Sequence, residues 1–306
     1  MSIRKIMIDT DCGVDDAIAL MIALASPAEV EVLGISTVSG NVPLAHVVDN
    51  VLRVLTFVDR TRIPVFRGAS MPLVEPPRYA ADVHGRNGLG GVELPAARIE
   101  EQKERAPEGI VRIARQNPGL TLLTLGPLTN IAIAINLYPE LKELIGEIIA
   151  MGGAMETGNV TRFAEFNFYA DPESVQCVLD SGIPLALLPW DTTLKVAHTE
   201  ADLVGLGFSS SASGRLALDM QQLLFGFLLK ARGIRASTLP DPLAAACLVD
   251  PAIATRTVLT GLRMELGQNA MRGASITQRG SAVKVFLDID REGFDRILTR
   301  VVALKP

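Results

Sequence analysis

Short apolar runs alternate with longer stretches whose apolar residues recur at helical spacing, and this alternation persists through most of the chain. Residues 3–8 read as a buried strand, and residues 15–25, rich in alanine and leucine, as a helix that Asp15 or Asp16 opens. The same pattern predicts a strand at 30–36, a helix at 43–58 with Asp49, Asn50 and Arg53 on its polar face, and a short strand at 63–66. A helix at 107–116, a strand at 120–125 and a helix ending at 136 follow, then strands at 147–151 and 183–188. Between those two strands, Asp171-Pro172-Glu173-Ser174 opens a helix with an N-cap aspartate and a proline at the first helical position. A long helix at 213–232 contains Gly226, which suggests close packing or a break, and another helix follows Pro240-Asp241-Pro242. Residues 258–267, 274–279 and 283–289 read as strands of a carboxyl-terminal elaboration, closed by a helix at 290–302. Strands alternating with helices predict an α/β fold, a Rossmann-like open and mostly parallel sheet flanked by helices. No repeat, low-complexity run or linker divides residues 1–306, which read as a single large domain.

Composition narrows the class. Hydrophobic residues at 48% with aromatics at only 5% suit alanine-, leucine- and valine-rich helices packed on parallel strands. A net charge of -5 gives no electrostatic reason to expect nucleic acid, an anionic membrane or a polyanionic ligand as partner. Cys12, Cys177 and Cys247 have no C-x-x-C spacing, and their odd number argues against a disulfide framework, so a reducing cytosol fits. The first apolar segment is too short for a signal peptide and no later run has membrane-spanning length, which predicts a soluble, cytoplasmic protein.

Charge is concentrated in one place. Asp9, Asp11, Asp15 and Asp16 fall within eight residues, at the carboxyl end of the first predicted strand and the start of the first helix. In open α/β sheets that edge binds ligands. Four carboxylates this close repel one another at neutral pH unless a cation or shared protons hold them. An ordinary loop with an N-cap accounts for one or two aspartates, not four. All the donors are oxygen, so the expected ion is hard, Ca²⁺ or Mg²⁺. Gly13 lets the backbone turn sharply between strand and helix. Other loops at predicted strand ends hold Gly40-Asn41 and Trp190, and a proline- and glycine-rich stretch at 68–97 holds the run Asp82 to Gly90. A loop that long is functional or mobile. The tryptophan, with Phe225 and Phe227, fits a core as well as a pocket wall.

The stretch Asp9-Thr10-Asp11-Cys12-Gly13-Val14-Asp15-Asp16-Ala17 resembles the amino-terminal signature D-x-D-[PC]-G-x-D-D-A of the inosine-uridine-preferring nucleoside hydrolases, in the branch with cysteine at the fourth position. Two later motifs extend the resemblance in the family's order: Gly126-Pro127-Leu128-Thr129-Asn130, and Gly158-Asn159 followed by Ala164-Glu165-Phe166-Asn167. The resemblance implies a Ca²⁺-dependent ribonucleoside N-glycosidase that releases free base and ribose. Implied ion ligands are Asp11, Asp15, Asp16, Asp241 and the carbonyl of Leu125, with Asp9 orienting them. Asp11 is implied as the general base toward a water on the ion. Asn41, Asp16 and Asp241 are implied substrate contacts. Asn159, Glu165 and Asn167 supply two amides and a carboxylate for the sugar's hydroxyls. An anionic site suits the ribosyl oxocarbenium character of the reaction. The family also implies a homodimer or homotetramer.

The departure from the pattern lies at the leaving base. A well-known branch carries histidine before the metal aspartate, in an H-D-P triplet, whereas this chain has Pro240. Of the three histidines, His46 sits early in a helix, His198 reads as a surface or capping residue, and His84 lies in the mobile loop beside Gly85. His84 is therefore the candidate to hydrogen-bond the base or, once protonated, to act as an acid. Two other classes compete. In a haloacid-dehalogenase-type phosphatase Asp9 would be the nucleophile and Asp11 the acid, but no later G-D-x-x-D motif is present. A non-catalytic nucleoside-binding protein would need the sugar loop without a water-activating ion.

Overall fold

The computed structural model describes residues 3–305, apart from the side chains at 227, 231, 232, 281 and 282. Ten strands are present among the described residues: β1 (Arg4–Thr10), β2 (Val30–Thr37), β3 (Val65–Arg67), β4 (Leu120–Thr124), β5 (Ile145–Met151), β6 (Leu185–Leu188), β7 (His198–Thr199), β8 (Ala236–Ser237), β9 (Ala254–Met264) and β10 (Ser275–Ile289). Eight form one sheet in the order β3-β2-β1-β4-β5-β6-β10-β9, while β7 and β8 pair separately. All neighbours in the large sheet are parallel except the β10–β9 pair. The α/β class expected from the alternation is the one observed. The direction of strand addition reverses between β1 and β4, which leaves a crevice at their carboxyl ends.

The period of two along each strand divides the core into two layers. Ile6, Ile8, Leu123, Ile149 and Leu188 face one side, under helices Val14–Leu24, Leu44–Phe57 and Pro240–Val249. Met7, Leu122, Ile148 and Leu187 face the other, under helices Ala106–Gln116, Thr129–Leu137 and Pro172–Ser181. Helix Val14–Leu24 is buried along almost its whole length because it lies between the sheet and helices Pro240–Val249 and Ala212–Arg232. A helix that is apolar all round needs such cover.

Several sequence expectations change. Helix Val14–Leu24 begins two or three residues earlier than a capping Asp15 or Asp16 would allow: Gly13 is its N-cap and Asp15 and Asp16 lie in its first turn. The sharp residue before it is Cys12, at φ 21, while Gly13 is extended at φ -88. Asn50 is not on a solvent face but buried, its Nδ2 donating to the carbonyls of Cys12 at 3.1 Å and Asn87 at 2.8 Å. Helix Ala212–Arg232 runs unbroken through Gly226, and a Cβ there would meet nothing within 4 Å among the described residues. The carboxyl-terminal strands are not an elaboration. The 15-residue β10 absorbs two of the expected strands and extends the sheet by pairing Val283–Val285 with β6. The closing helix is two short ones, Arg291–Leu298 and Arg300–Ala303. No helix among the described residues is long and apolar enough to cross a membrane.

Candidate active site

A cavity of about 300 Å³ opens at the carboxyl edge of the sheet, with Asp15, Asn41, His84, Asn167, Trp190 and Asp241 among its lining residues. Alternation along β1 sends Asp9 away from it. Asp9 Oδ1 accepts from Ser36 Oγ at 2.5 Å and Asn130 Nδ2 at 2.8 Å, so this carboxyl ties β1 to β2 and to helix Thr129–Leu137. Burial raises its pKa to about 7.

Asp11 follows the strand's last residue. Its Oδ2 accepts the main-chain N–H of Asn41 at 2.7 Å, and its buried Oδ1 has no partner among the described residues. Gly40 and Gly126 make room for this carboxylate, since a Cβ on them would lie 2.1 Å and 2.9 Å from its atoms. Cys12 is enclosed by the same carboxylates; burial first, then Asp16, Asp11, Asp15 and Asp241, push its thiol well above the usual range.

Two helix N-termini converge on the floor. Asp15 and Asp16 lie in the first turn of Val14–Leu24, and Asp241 in the first turn of Pro240–Val249, where the helix dipole favours negative charge. One oxygen from each of the three lies within 4.8 Å of the others. Asp11 is beside Asp16 but outside that set. Asp16 is the most tethered, accepting from Thr10 Oγ1 at 2.5 Å, Gly13 N at 2.8 Å and Asn41 Nδ2 at 3.1 Å. Asp15 Oδ1 is buried without a hydrogen bond among the described residues. Burial, more than mutual repulsion, raises Asp11 and Asp241 well above the carboxylate range, and burial raises Asp15 to about 6. Buried oxygens with unfilled lone pairs and an all-oxygen donor set fit a hard divalent cation.

Leu125, just past β4, turns its carbonyl toward Asn167, whose Nδ2 donates to it at 2.7 Å and to Met151 O at 3.1 Å. Asn167 thus bridges the ends of β4 and β5. Glu165 caps helix Phe166–Ala170: Oε1 accepts from Asn167 N at 2.9 Å, and Oε2 from Gly153 N at 2.8 Å and Phe168 N at 3.2 Å. Three main-chain donors hold a carboxylate that burial raises to about 7, so its first task is to order this loop. Asn159 is exposed at the cavity rim and accepts from Phe166 N at 2.9 Å.

The histidines sort differently from expectation. His84 ends a short helix, Ala81–His84, and is buried. Its Nδ1 accepts the N–H of Val14 at 3.2 Å and lies 3.6 Å from Asp15 Oδ1. Burial lowers its pKa to about 4, which favours the neutral imidazole at physiological pH. His198 is not at the surface: it is fully buried, 2.6 Å from Asp295 Oδ1 and edge-on to Phe294. His46 is exposed. Trp190 lines the cavity; Phe225 is buried elsewhere in the core, and the side chain of residue 227 is outside the described set.

The sequence reading missed Thr10, Asn50 and Thr238. Thr10 sits between two aspartates and donates to a third, Thr238 lines the cavity three residues before Asp241, and Asn50 reaches the aspartate turn only through the fold. No lysine or arginine lines the cavity among the described residues.

Comparison with known proteins gives one consistent picture. The family model described as inosine-uridine preferring nucleoside hydrolase matches residues 6–296. The pyrimidine-specific ribonucleoside hydrolase RihA of Salmonella typhi is 36% identical over 301 residues, 96% of each chain. An uncharacterized protein of Schizosaccharomyces pombe is 46% identical over 200 residues, and the match spans 64% of each chain. Among solved structures, the plant nucleoside hydrolase PpNRh1 superposes with a TM-score of 0.93 at 31% identity, covering 99% of this chain and 100% of that one. A purine-preferring ribonucleoside hydrolase from Gardnerella vaginalis superposes with a TM-score of 0.92 at 29% identity, covering 98% and 99%.

Proposed function

The chain belongs to the inosine-uridine preferring nucleoside hydrolase family and is a nucleoside N-glycosidase, and from that premise we propose that it hydrolyses ribonucleosides to free base and ribose with Asp11 as general base. The observation that carries the mechanism is the buried Oδ1 of Asp11, unpartnered among the described residues, beside the Asp15, Asp16 and Asp241 carboxylates, of which Asp15 and Asp241 line the cavity. Asp15, Asp16, Asp241, Asp11 and the carbonyl of Leu125 would hold Ca²⁺. When bound, that ion would offset the carboxylates' repulsion, engage the sugar diol and acidify a water.

The chain's own groups do the rest. Asn41, Asn159, Glu165, Asn167, Asp16 and Asp241 surround the sugar. The water oxygen bonds to C1′ as the C1′–N bond breaks, the bonding pair leaves with the base, and the water's proton passes to Asp11 Oδ1. The anionic floor stabilises the positive charge that develops on the sugar. His84, neutral, donates a hydrogen bond to the departing base. Within the family we place the chain, on Cys12, in the branch with cysteine in the aspartate motif. Three free cysteines suit the cytoplasm. A homodimer or homotetramer is expected, and light scattering that gives only a 32.7 kDa species would dispose of it.

The reaction is tested with inosine, uridine and a phosphate ester, assaying released ribose and phosphate. Ribose without phosphate supports the reading. Phosphate without ribose points to an Asp9-nucleophile phosphatase, and uridine binding with neither product points to a binding protein.

A further inference from the structure

We propose that Gly13 is a positioning residue for the departing base: the space left by its missing side chain seats the imidazole of His84, and the N–H of Val14 fixes that ring as an Nε2–H donor. This deepens the reading of His84 given above and rests on it.

Backbone freedom does not explain Gly13. At φ -88 and ψ -166 it occupies extended space that any residue adopts. Packing does explain it. A Cβ at this position would lie 2.3 Å from His84 Nδ1 and 2.8 Å from His84 Cε1, distances that no real Cβ tolerates. Any larger residue must push the ring away or shift the start of the helix.

The next residue sets the ring's proton. The first N–H groups of a helix lack intrahelical acceptors, and Val14 gives its N–H to His84 Nδ1 at 3.2 Å. A nitrogen that accepts carries no proton, so the ring is neutral with its hydrogen on Nε2. Asp15 Oδ1, at 3.6 Å, is too far to hold a proton on Nδ1 instead. Nε2 has no hydrogen-bond partner among the described residues, and His84 lines the cavity. Asn50 keeps the loop docked by bonding both Cys12 O and Asn87 O. The ligand feature this arrangement recognises is an acceptor on the base, a ring nitrogen or a carbonyl oxygen near the glycosidic bond.

A Cβ at Gly13 would also lie 2.7 Å from Asn41 Nδ2, which bonds Asp16, so the test must separate base from sugar. Gly13→Ala, His84→Ala and the double variant are compared on uridine, inosine and p-nitrophenyl riboside, whose leaving group needs no help. Gly13→Ala is expected to lose about 10-fold to 100-fold in kcat/KM on the nucleosides and little on the nitrophenyl riboside. The double variant is expected to be no worse than His84→Ala. Equal losses on both substrate types, or losses that multiply in the double variant, overturn the proposal and assign the effect to Asn41 and the sugar. If His84→Ala loses equally on both types while the double variant still matches it, the seat stands and the base-side role of His84 falls. A wild-type chain that releases no ribose from any nucleoside refutes the assigned activity instead. Should Gly13→Ala not fold, nitrogen-resolved NMR of ¹⁵N-histidine-labelled full chain decides: the His84 signal, assigned by its loss in His84→Ala, is expected as the neutral Nε2–H tautomer, and a proton on Nδ1 overturns the proposal.

Discussion

Asp11 is pinned on one oxygen by the main-chain N–H of Asn41, 2.7 Å from Oδ2, while its other oxygen is buried without a partner among the described residues. A carboxylate oriented on one side and open on the other is suited to taking a proton. Asp11→Asn keeps the shape and removes the base, so kcat should fall by roughly 10² to 10⁴ with an unchanged circular dichroism spectrum. Turnover equal to wild type would sink the assignment.

The clustered carboxylates make the cation's effect depend on pH. Burial raises Asp9 to about 7 and Asp15 to about 6 from an ordinary 3.8, and it raises Asp11 and Asp241 well above that ordinary value too. A group whose folded pKa is raised contributes stability that is full below its unfolded pKa and is lost as pH rises through the folded one. In chelated protein the loss from Asp15 and Asp9 spans about pH 4 to about 7. A cation that replaces the protons should therefore raise Tm little near about pH 5 and several times more near about pH 8. Taking the difference with and without Ca²⁺ cancels groups remote from the site, such as His198. A calcium-induced shift that is the same at both pH values would contradict this account.

Glu165 holds two main-chain N–H groups at the start of helix Phe166–Ala170 and a third, that of Gly153, just past β5. Glu165→Ala strands buried donors, at a cost of about 1–3 kcal/mol each where water cannot replace the carboxylate. Urea denaturation should show a clear loss of stability, accompanied by a raised KM because Asn167 loses its anchor. Unchanged stability with raised KM would mean that Glu165 serves only the substrate.

Cys12 is a buried thiol in a negative field, which disfavours thiolate. Cys12→Ala should retain most activity, and iodoacetamide at about pH 8 should leave Cys12 unlabelled in the folded chain. Rapid labelling of Cys12 by mass spectrometry would show the thiolate to be accessible after all.

Local chemistry written in order along the chain was legible without the fold. Periods of two and near 3.6 revealed strands and helices because burial on a sheet face or a helix stripe repeats at those intervals. The first aspartate cluster announced a candidate ion site because the spacing of charges a few residues apart is a local property. What the fold alone decided involves partners distant in sequence. Asp241 joins Asp15 and Asp16 only because two helices bring their N-termini together. Asn50 looks polar-faced in its helix, yet meets Cys12 across the site. His84 looks like an exposed loop residue until Gly13 and Val14 enclose it. Glu165 reads from sequence only as a sugar ligand, and the fold adds a second task by capping its own helix with both oxygens. Likewise β10 enters the sheet beside β6, because alternation tells a strand which face is buried but not which strand lies next to it. Neighbour choice depends on long-range pairing, whose energy no short window of sequence contains.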